Sequence, residues 1–281
     1  MWSRSPGNFR SAVTPGLAAA VMVLLTPHAS ALAPGDHAIE LGPRRYVVHV
    51  PQRLEARPAV VLNFHGGGGT ADAHKKYVRM DALADREGFL AVYPDGSRGF
   101  GGKLLTWNAG TCCGASARQN VDDAGFVRAL LGDLAHRHAY DAARVYATGL
   151  SNGAMMSYRL AAELSDRIAA IAPVAGSMVL ARFAPQRPVP VLHIHSLDDG
   201  RALYGGGLGP PFPFTATRVL HPPVEERLAD WARANGCAGE PQAGERREWQ
   251  GHSATLLVYQ GCKAETALWK LTGAGHVWPG G

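Results

Sequence analysis

An α/β fold with a mostly parallel central sheet and helices on both faces is what this sequence predicts. Short apolar runs alternate with helical patterns through residues 32–281, as in chains that cover both faces of a sheet with helices. Several of those runs, among them Ala59–Phe64 and Ile168–Val174, are unbroken in apolar residues rather than alternating. Strands buried on both faces read that way. The chain has 281 residues, 46% of them hydrophobic and 18% charged, which is ample to bury a core. With no repeat, charge block or linker dividing it, residues 32–281 read as one domain.

The strands fall at Arg44–Val50, Ala59–Phe64, Phe89–Tyr93, Arg144–Thr148, Ile168–Val174, Val189–His195, Thr255–Tyr259 and Ala267–Leu271. Arg44–Val50, near the start, suits an antiparallel edge. Helices fall at Lys75–Glu87, Val121–His138, Asn152–Leu164 and Val224–Asn235. The second carries Phe126, Leu130, Leu131 and Leu134 at helical spacing, with Asp122 and Asp123 at the positive end of its dipole. Leu203–Pro223 holds four Gly and five Pro, so no regular element is expected there. A long irregular insert of this kind suits a wall or lid over a site.

Residues 1–31 are expected outside the fold. Arg4 and Arg10 precede the apolar run Gly16–Leu25, Pro27 ends it, and Ala29-Ser30-Ala31 is a small-x-small cleavage pattern. That is the grammar of a signal peptide cut after Ala31. Ten apolar residues fall short of the roughly 20 that span a bilayer. The sequence thus predicts a secreted or periplasmic protein, free of the membrane once cut. Without those two arginines, 26 Lys and Arg face 23 Asp and Glu. A net +3, spread along the chain, is too mild for a nucleic-acid or anionic-membrane partner.

An oxidising compartment lets the four cysteines pair, in three possible ways. Cys237 and Cys262 bracket a strand candidate and are the favoured disulfide; the state of the adjacent Cys112 and Cys113 stays open. No metal-ligand spacing and no cofactor motif stands out. His193 and His195 share a strand face and would make half a metal site, but no third ligand accompanies them.

Gly149-Leu150-Ser151-Asn152-Gly153 fits the G-x-S-x-G pattern, and a strand runs into it while a helix runs out. A serine on so tight a turn projects its hydroxyl clear of the sheet. The plainer reading is a helix cap. A nucleophilic Ser needs a base and an acid to orient that base, in the order Ser, acid, His. His276 lies on a Gly-rich loop after the last strand, at the ligand side of an open sheet. Asp198 and Asp199 both follow the Val189–His195 strand, and Asp199 is taken as the acid. Acyl transfer also needs oxyanion donors. The Asn152 N–H is one, and Gly67, in His65-Gly66-Gly67-Gly68-Gly69, is the best candidate for the other. Trp107 and Trp278 are candidate flat walls for a substrate.

These motifs occur together with Tyr93-Pro94-Asp95-Gly96, Trp107-Asn108-Ala109-Gly110, Cys112-Cys113-Gly114, Asn120-Val121-Asp122-Asp123 and Gly275-His276-Val277-Trp278-Pro279-Gly280-Gly281. In that order they resemble the secreted polyhydroxybutyrate depolymerase and feruloyl esterase family, from about Ala59 to the last residue. The resemblance implies an α/β-hydrolase fold, a triad on Ser151, Asp199 and His276, a Cys237–Cys262 disulfide, and hydrolysis of carboxylic esters without a cofactor. It points to polyhydroxyalkanoate polyesters or to feruloyl and acetyl esters of plant polysaccharide. A secreted serine peptidase or a non-catalytic binding protein on the same fold are the competing functions. Three departures stand out. His195-Ser196-Leu197-Asp198-Asp199 carries an extra Asp where the family has H-G-x-x-D, the 203–223 insert replaces a shorter segment, and the sequence stops five residues after His276. The family's closing helix would follow there, so a truncated form is expected.

Overall fold

The computed structural model describes residues 1–2, 31–97, 99, 103–212 and 217–281. The segment read as a signal peptide lies outside them, apart from its ends. In chain order the elements are β1 (Gly35–Leu41), β2 (Arg44–Val50), β3 (Val60–Phe64), α1 (Ala71–Val78), α2 (Met80–Glu87), β4 (Leu90–Pro94), α3 (Gly114–Arg118), α4 (Asp123–Arg137), β5 (Val145–Leu150), α5 (Asn152–Glu163), β6 (Ala170–Val174) and β7 (Val191–Ser196). There follow β8 (Gly207–Leu208), β9 (Leu220–His221), α6 (Val224–Ala234), β10 (Ala238–Trp249), β11 (His252–Gln260) and β12 (Thr266–Thr272).

Ten strands form one sheet in the order β1-β2-β4-β3-β5-β6-β7-β12-β11-β10. Its centre, from β4 to β12, is parallel, and antiparallel ribbons extend both sides. Each parallel central strand runs into the same edge of the sheet, so the loops after β3, β5, β7 and β12 converge there. That edge holds the candidate site. On one face α4, α5 and α6 bury Leu130, Met156, Leu160 and Trp231 against Val60, Leu62, Val145 and Ile171. On the other, α1 and α2 cover β2 and β4 through Val78, Ala84, Val47, Ala91 and Tyr93.

Four details depart from expectation. Residues 75–87 form parts of two helices rather than one, because Arg79 takes a left-handed conformation (φ 50°) that ends the first ladder. β2 is second from the edge, since a β1 that lacks an apolar run pairs outside it. The strongly polar β10 also escaped the reading: it is exposed along almost its whole length, so no apolar alternation marks it. Within the insert, β8 and β9 pair as a small antiparallel ladder, so the segment is not wholly irregular.

Cys237 is joined to Cys262, and Cys112 to Cys113. The first bond ties the start of β10 to the end of β11. No helix among the described residues is long and apolar enough to cross a membrane.

Candidate active site

Ser151 sits between the end of β5 and the start of α5 with φ 58° and ψ −118°. A non-glycine residue holds that conformation only where its surroundings force it. Here the forcing is visible. The Ser151 N–H donates to the Val174 carbonyl at 2.8 Å, and the Ser151 carbonyl accepts from Met155 N–H at 3.0 Å. Gly149 and Gly153 are obligatory on either side. A Cβ on Gly149 would lie 2.5 Å from the Phe64 carbonyl oxygen, and one on Gly153 closer still. The elbow therefore packs its backbone directly on the end of β3.

The Asn152 side chain locks the turn. Its Oδ1 accepts from Trp107 N–H at 2.7 Å and its Nδ2 donates to the Trp107 carbonyl at 3.0 Å. As first residue of α5, its own N–H lies outside the helical ladder. Gly67 is the facing element: a Cβ there would meet the Asn152 Cβ at 3.7 Å and the Phe212 ring at 3.2 Å. His65 fixes this loop. Its Nε2 accepts from Gly96 N–H at 2.9 Å, so the proton is on Nδ1, which donates to the Gly66 carbonyl at 2.8 Å. Burial lowers the His65 pKa to about 4, which keeps the ring neutral and the tautomer fixed.

Asp199 follows β7 and His276 follows β12, the parallel neighbour of β7. His276 Nδ1 lies 2.7 Å from Asp199 Oδ2. Asp199 Oδ1 accepts from the N–H groups of Arg201 and Ala202, each at 2.8 Å. Burial by itself would raise the Asp199 pKa. The hydrogen bonds from His195, His276 and the backbone outweigh it and hold the carboxyl well below the usual range. Asp198 is exposed and accepts instead from the N–H of Gly273, at the root of the loop that carries His276.

Behind Asp199 runs a file of buried side chains. His195 Nε2 lies 2.7 Å from the Ala202 carbonyl and 3.2 Å from Asp199 Oδ2, so it must carry a proton. His195 Nδ1 then accepts from His193 Nε2 at 3.1 Å, and His193 Nδ1 accepts from the Tyr158 hydroxyl at 2.9 Å. This arrangement satisfies every contact, and each N–H or O–H in it points toward Asp199. One nitrogen of each histidine meets the other ring, and the remaining two are taken by the Tyr158 hydroxyl and the Ala202 carbonyl. The sequence places this pair on one strand face but gives no sign of Tyr158, seven residues after Ser151 on another element.

The two tryptophans part company. Trp107 is fully buried, edge-on to Phe64 at 5.1 Å, and its Nε1 donates to the His65 carbonyl at 3.0 Å. It is core, and offers no wall to a ligand. Trp278 is half-buried and lines an open apolar groove with Met80, Leu83 and Ile194, on the sheet face that α1 and α2 leave uncovered. Other motifs of the resemblance are scaffold. Asp123 pairs with Arg44 at 2.9 Å and accepts from Asn108 N–H at 2.7 Å, and Asp95 accepts from Ala71 N–H at 2.6 Å. Among the described residues, Asp36, His49 and Asp81 could approach a metal ion, but the Lys75 ammonium already bonds both carboxylates.

Residues 45–203 match the model of the family described as Esterase PHB depolymerase. The chain belongs to that family. It is similar to feruloyl esterase B of Piromyces equi, 28% identical over 247 residues, covering 83% of this chain and 42% of that protein. A bifunctional acetylxylan esterase/xylanase of Neocallimastix patriciarum is 30% identical over 165 residues, 58% of this chain and 23% of that one. The chain thus spans less than half the length of either. A putative esterase of Nocardia uniformis subsp. tsuyamanensis is 30% identical over 261 residues, 85% of this chain and 71% of that one. Among solved structures, acetyl xylan esterase from Aspergillus awamori superposes with a TM-score of 0.63 at 15% identity, over 87% of this chain and 95% of that one. The fold is that of the α/β-hydrolases, as the family's motifs implied.

Proposed function

We propose that this family member is an exported serine esterase in which Ser151 is the nucleophile, His276 the base and Asp199 the acid. The observation that carries the reading is the His276–Asp199 hydrogen bond, at the same edge of the sheet as the strained Ser151. Nδ1 of His276 is committed to Asp199, which leaves Nε2 to take the Ser151 proton as Oγ attacks the ester carbonyl. The same nitrogen passes that proton to the departing alcohol. Water then repeats the sequence on the acyl-enzyme. The N–H groups of Gly67 and Asn152 receive the oxyanion, each worth about 10²–10³ in turnover.

Export is part of the proposal. Its supports are the basic-apolar-small pattern of residues 1–31 and two cysteine pairs of the kind an oxidising compartment sustains. The substrates proposed are feruloyl or acetyl esters of polysaccharide, after the activities named for the relatives, or a hydroxyalkanoate polyester, after the family's description.

Labelling with a fluorophosphonate, followed by peptide mass analysis, tests the nucleophile. The expected result is one adduct on Ser151, and none in Ser151→Ala, which also loses nearly all hydrolysis of p-nitrophenyl butyrate. An intact protein that takes no label on Ser151 defeats the proposal. Faster turnover of peptide anilides than of esters would move it to a peptidase.

A further inference from the structure

The loop that carries His276 is fixed at its root. The Gly273 N–H donates to the Asp198 carboxylate, the Gly275 N–H donates to Ser196 Oγ at 3.3 Å, and the His276 ring meets Asp199. All three partners end β7 or follow it. The chain beyond His276 is fixed as well, by a distant element. The Trp278 N–H donates to the Tyr77 hydroxyl at 3.0 Å, and Arg79 Nη2 donates to the Gly280 carbonyl. The Trp278 ring packs on the apolar cluster of α1 and α2 and stands edge-on to His74, with ring centres 6.1 Å apart. Trp278 and Pro279 line one groove with Thr148 of β5, Val174 of β6 and Ile194 of β7. The segment therefore runs from β12 and β7, past the β5 strand that leads into Ser151, to α1.

The helix that receives it is itself anchored. α1 begins where the His65–Gly69 loop ends, and Thr70 Oγ1 caps it by accepting from the Ala73 N–H at 3.3 Å. The buried His74 Nε2 lies 2.7 Å from Asn63 Oδ1 on β3, and Asp95, after β4, accepts from the Ala71 N–H at 2.6 Å. At the other end Arg79 turns left-handed (φ 50°), and the helix stops there. Tyr77 and Arg79 thus sit at a fixed corner. One stretch of backbone carries Gly67 before α1 and grips the chain after His276 at its far end. The grip matters because four of the nine residues from Gly273 to Gly281 are glycine, which leaves the loop little stiffness of its own.

We propose that Tyr77 and Arg79 are positioning residues for the base. They act through the Trp278 N–H and the Gly280 carbonyl, and with Asp199 they hold the His276 segment from both sides. The proposal rests on the esterase reading above. A base that drifts by even an ångström from its nucleophile loses much of its effect, so a loop rich in glycine needs an outside anchor.

The test measures kcat and KM on p-nitrophenyl butyrate for Y77F, R79N and the double variant, each in the wild-type chain and in H276A. Phenylalanine keeps the ring and removes the acceptor. Asparagine tolerates the left-handed backbone but is too short to reach Gly280. Each single variant should lower kcat about fivefold, the effect of one hydrogen bond, with KM within about twofold of the wild type. The double variant should fall further. In H276A no base remains to be placed, so the same changes should alter the residual hydrolysis by less than about twofold. An equal fall in both backgrounds would make the contacts merely structural and overturn the proposal. So would single and double variants that all keep the wild-type kcat. Y77F and R79N cut different contacts, so if one fails to fold the other still decides. A wild type that hydrolyses no ester, or an H276A variant as active as the wild type, would overturn the triad reading and the anchor with it.

Discussion

Asp199 Oδ2 lies 2.7 Å from His276 Nδ1, whereas the neighbouring Asp198 turns outward to the backbone of Gly273. The two acids therefore carry different loads. On the proposed triad, Asp199→Asn removes the charge that would orient and support the imidazolium, and kcat on p-nitrophenyl butyrate should fall about 10³–10⁴-fold. Asp198→Asn keeps an acceptor for Gly273 and should cost less than about tenfold. Steady-state kinetics of both variants decide the point; the reverse ranking would transfer the triad role to Asp198.

The file from Tyr158 through His193 and His195 makes a second expectation. His195→Ala takes a donor away from Asp199 and leaves His193 Nε2 facing empty space. The Asp199 pKa should rise toward the ordinary carboxylate value, because the bonds that hold it down are fewer. Its loss of charge then begins at higher pH, so the acid limb of kcat against pH should shift upward, with kcat lower on the order of tenfold. His195→Gln places an amide N–H near the lost Nε2 and should recover much of both. A variant that loses stability while its pH profile stays fixed would make His195 a packing residue.

What the sequence disclosed follows from the range of each signal. The elbow was legible because Ser151 and its two glycines are constrained by atoms a few residues away, and by a strand and helix that announce themselves. The parallel core was legible because strands buried on a helix layer must be apolar. The Asp198/Asp199 choice was not, since both follow the same strand and only the position of His276, after another strand, separates them. Trp107 read as a wall because residue type does not report depth; its burial depends on Phe64, His65 and Asn152, all distant in sequence. The partner of His193 was hidden for the same reason.

Gly153 supplies a test of the elbow's packing. A Cβ there would overlap the Phe64 and His65 carbonyl groups, which belong to the end of β3 and the start of the Gly-rich loop that follows it. Gly153→Ala should destabilise by roughly 3 kcal/mol or more and displace the loop that carries Gly67. Gly132→Ala is the control: on exposed α4 surface its Cβ meets nothing within 4 Å, so it should stabilise by a few tenths to about 1 kcal/mol. Urea denaturation of the two variants should move in opposite directions.

His49 gives the pH dependence of stability a sign. Its Nδ1 lies 2.8 Å from Asp36 and its Nε2 3.0 Å from Asp85, with Asp81 and the Lys75 ammonium close by. Partial burial would lower its pKa, but the bonds to Asp36 and Asp85 prevail and raise it above the ordinary histidine value. A raised folded-state pKa means that the folded protein holds the proton more tightly than the unfolded chain. The stabilisation is therefore complete below the unfolded pKa, about 6.5, and disappears as pH climbs through the folded value. His49→Gln keeps a hydrogen-bonding group but cannot charge. Its Tm deficit against the wild type should be widest near pH 5 and narrow steadily toward pH 9. A deficit that grows with pH would mean that the ring is held neutral and the two carboxylates contribute nothing to retaining it.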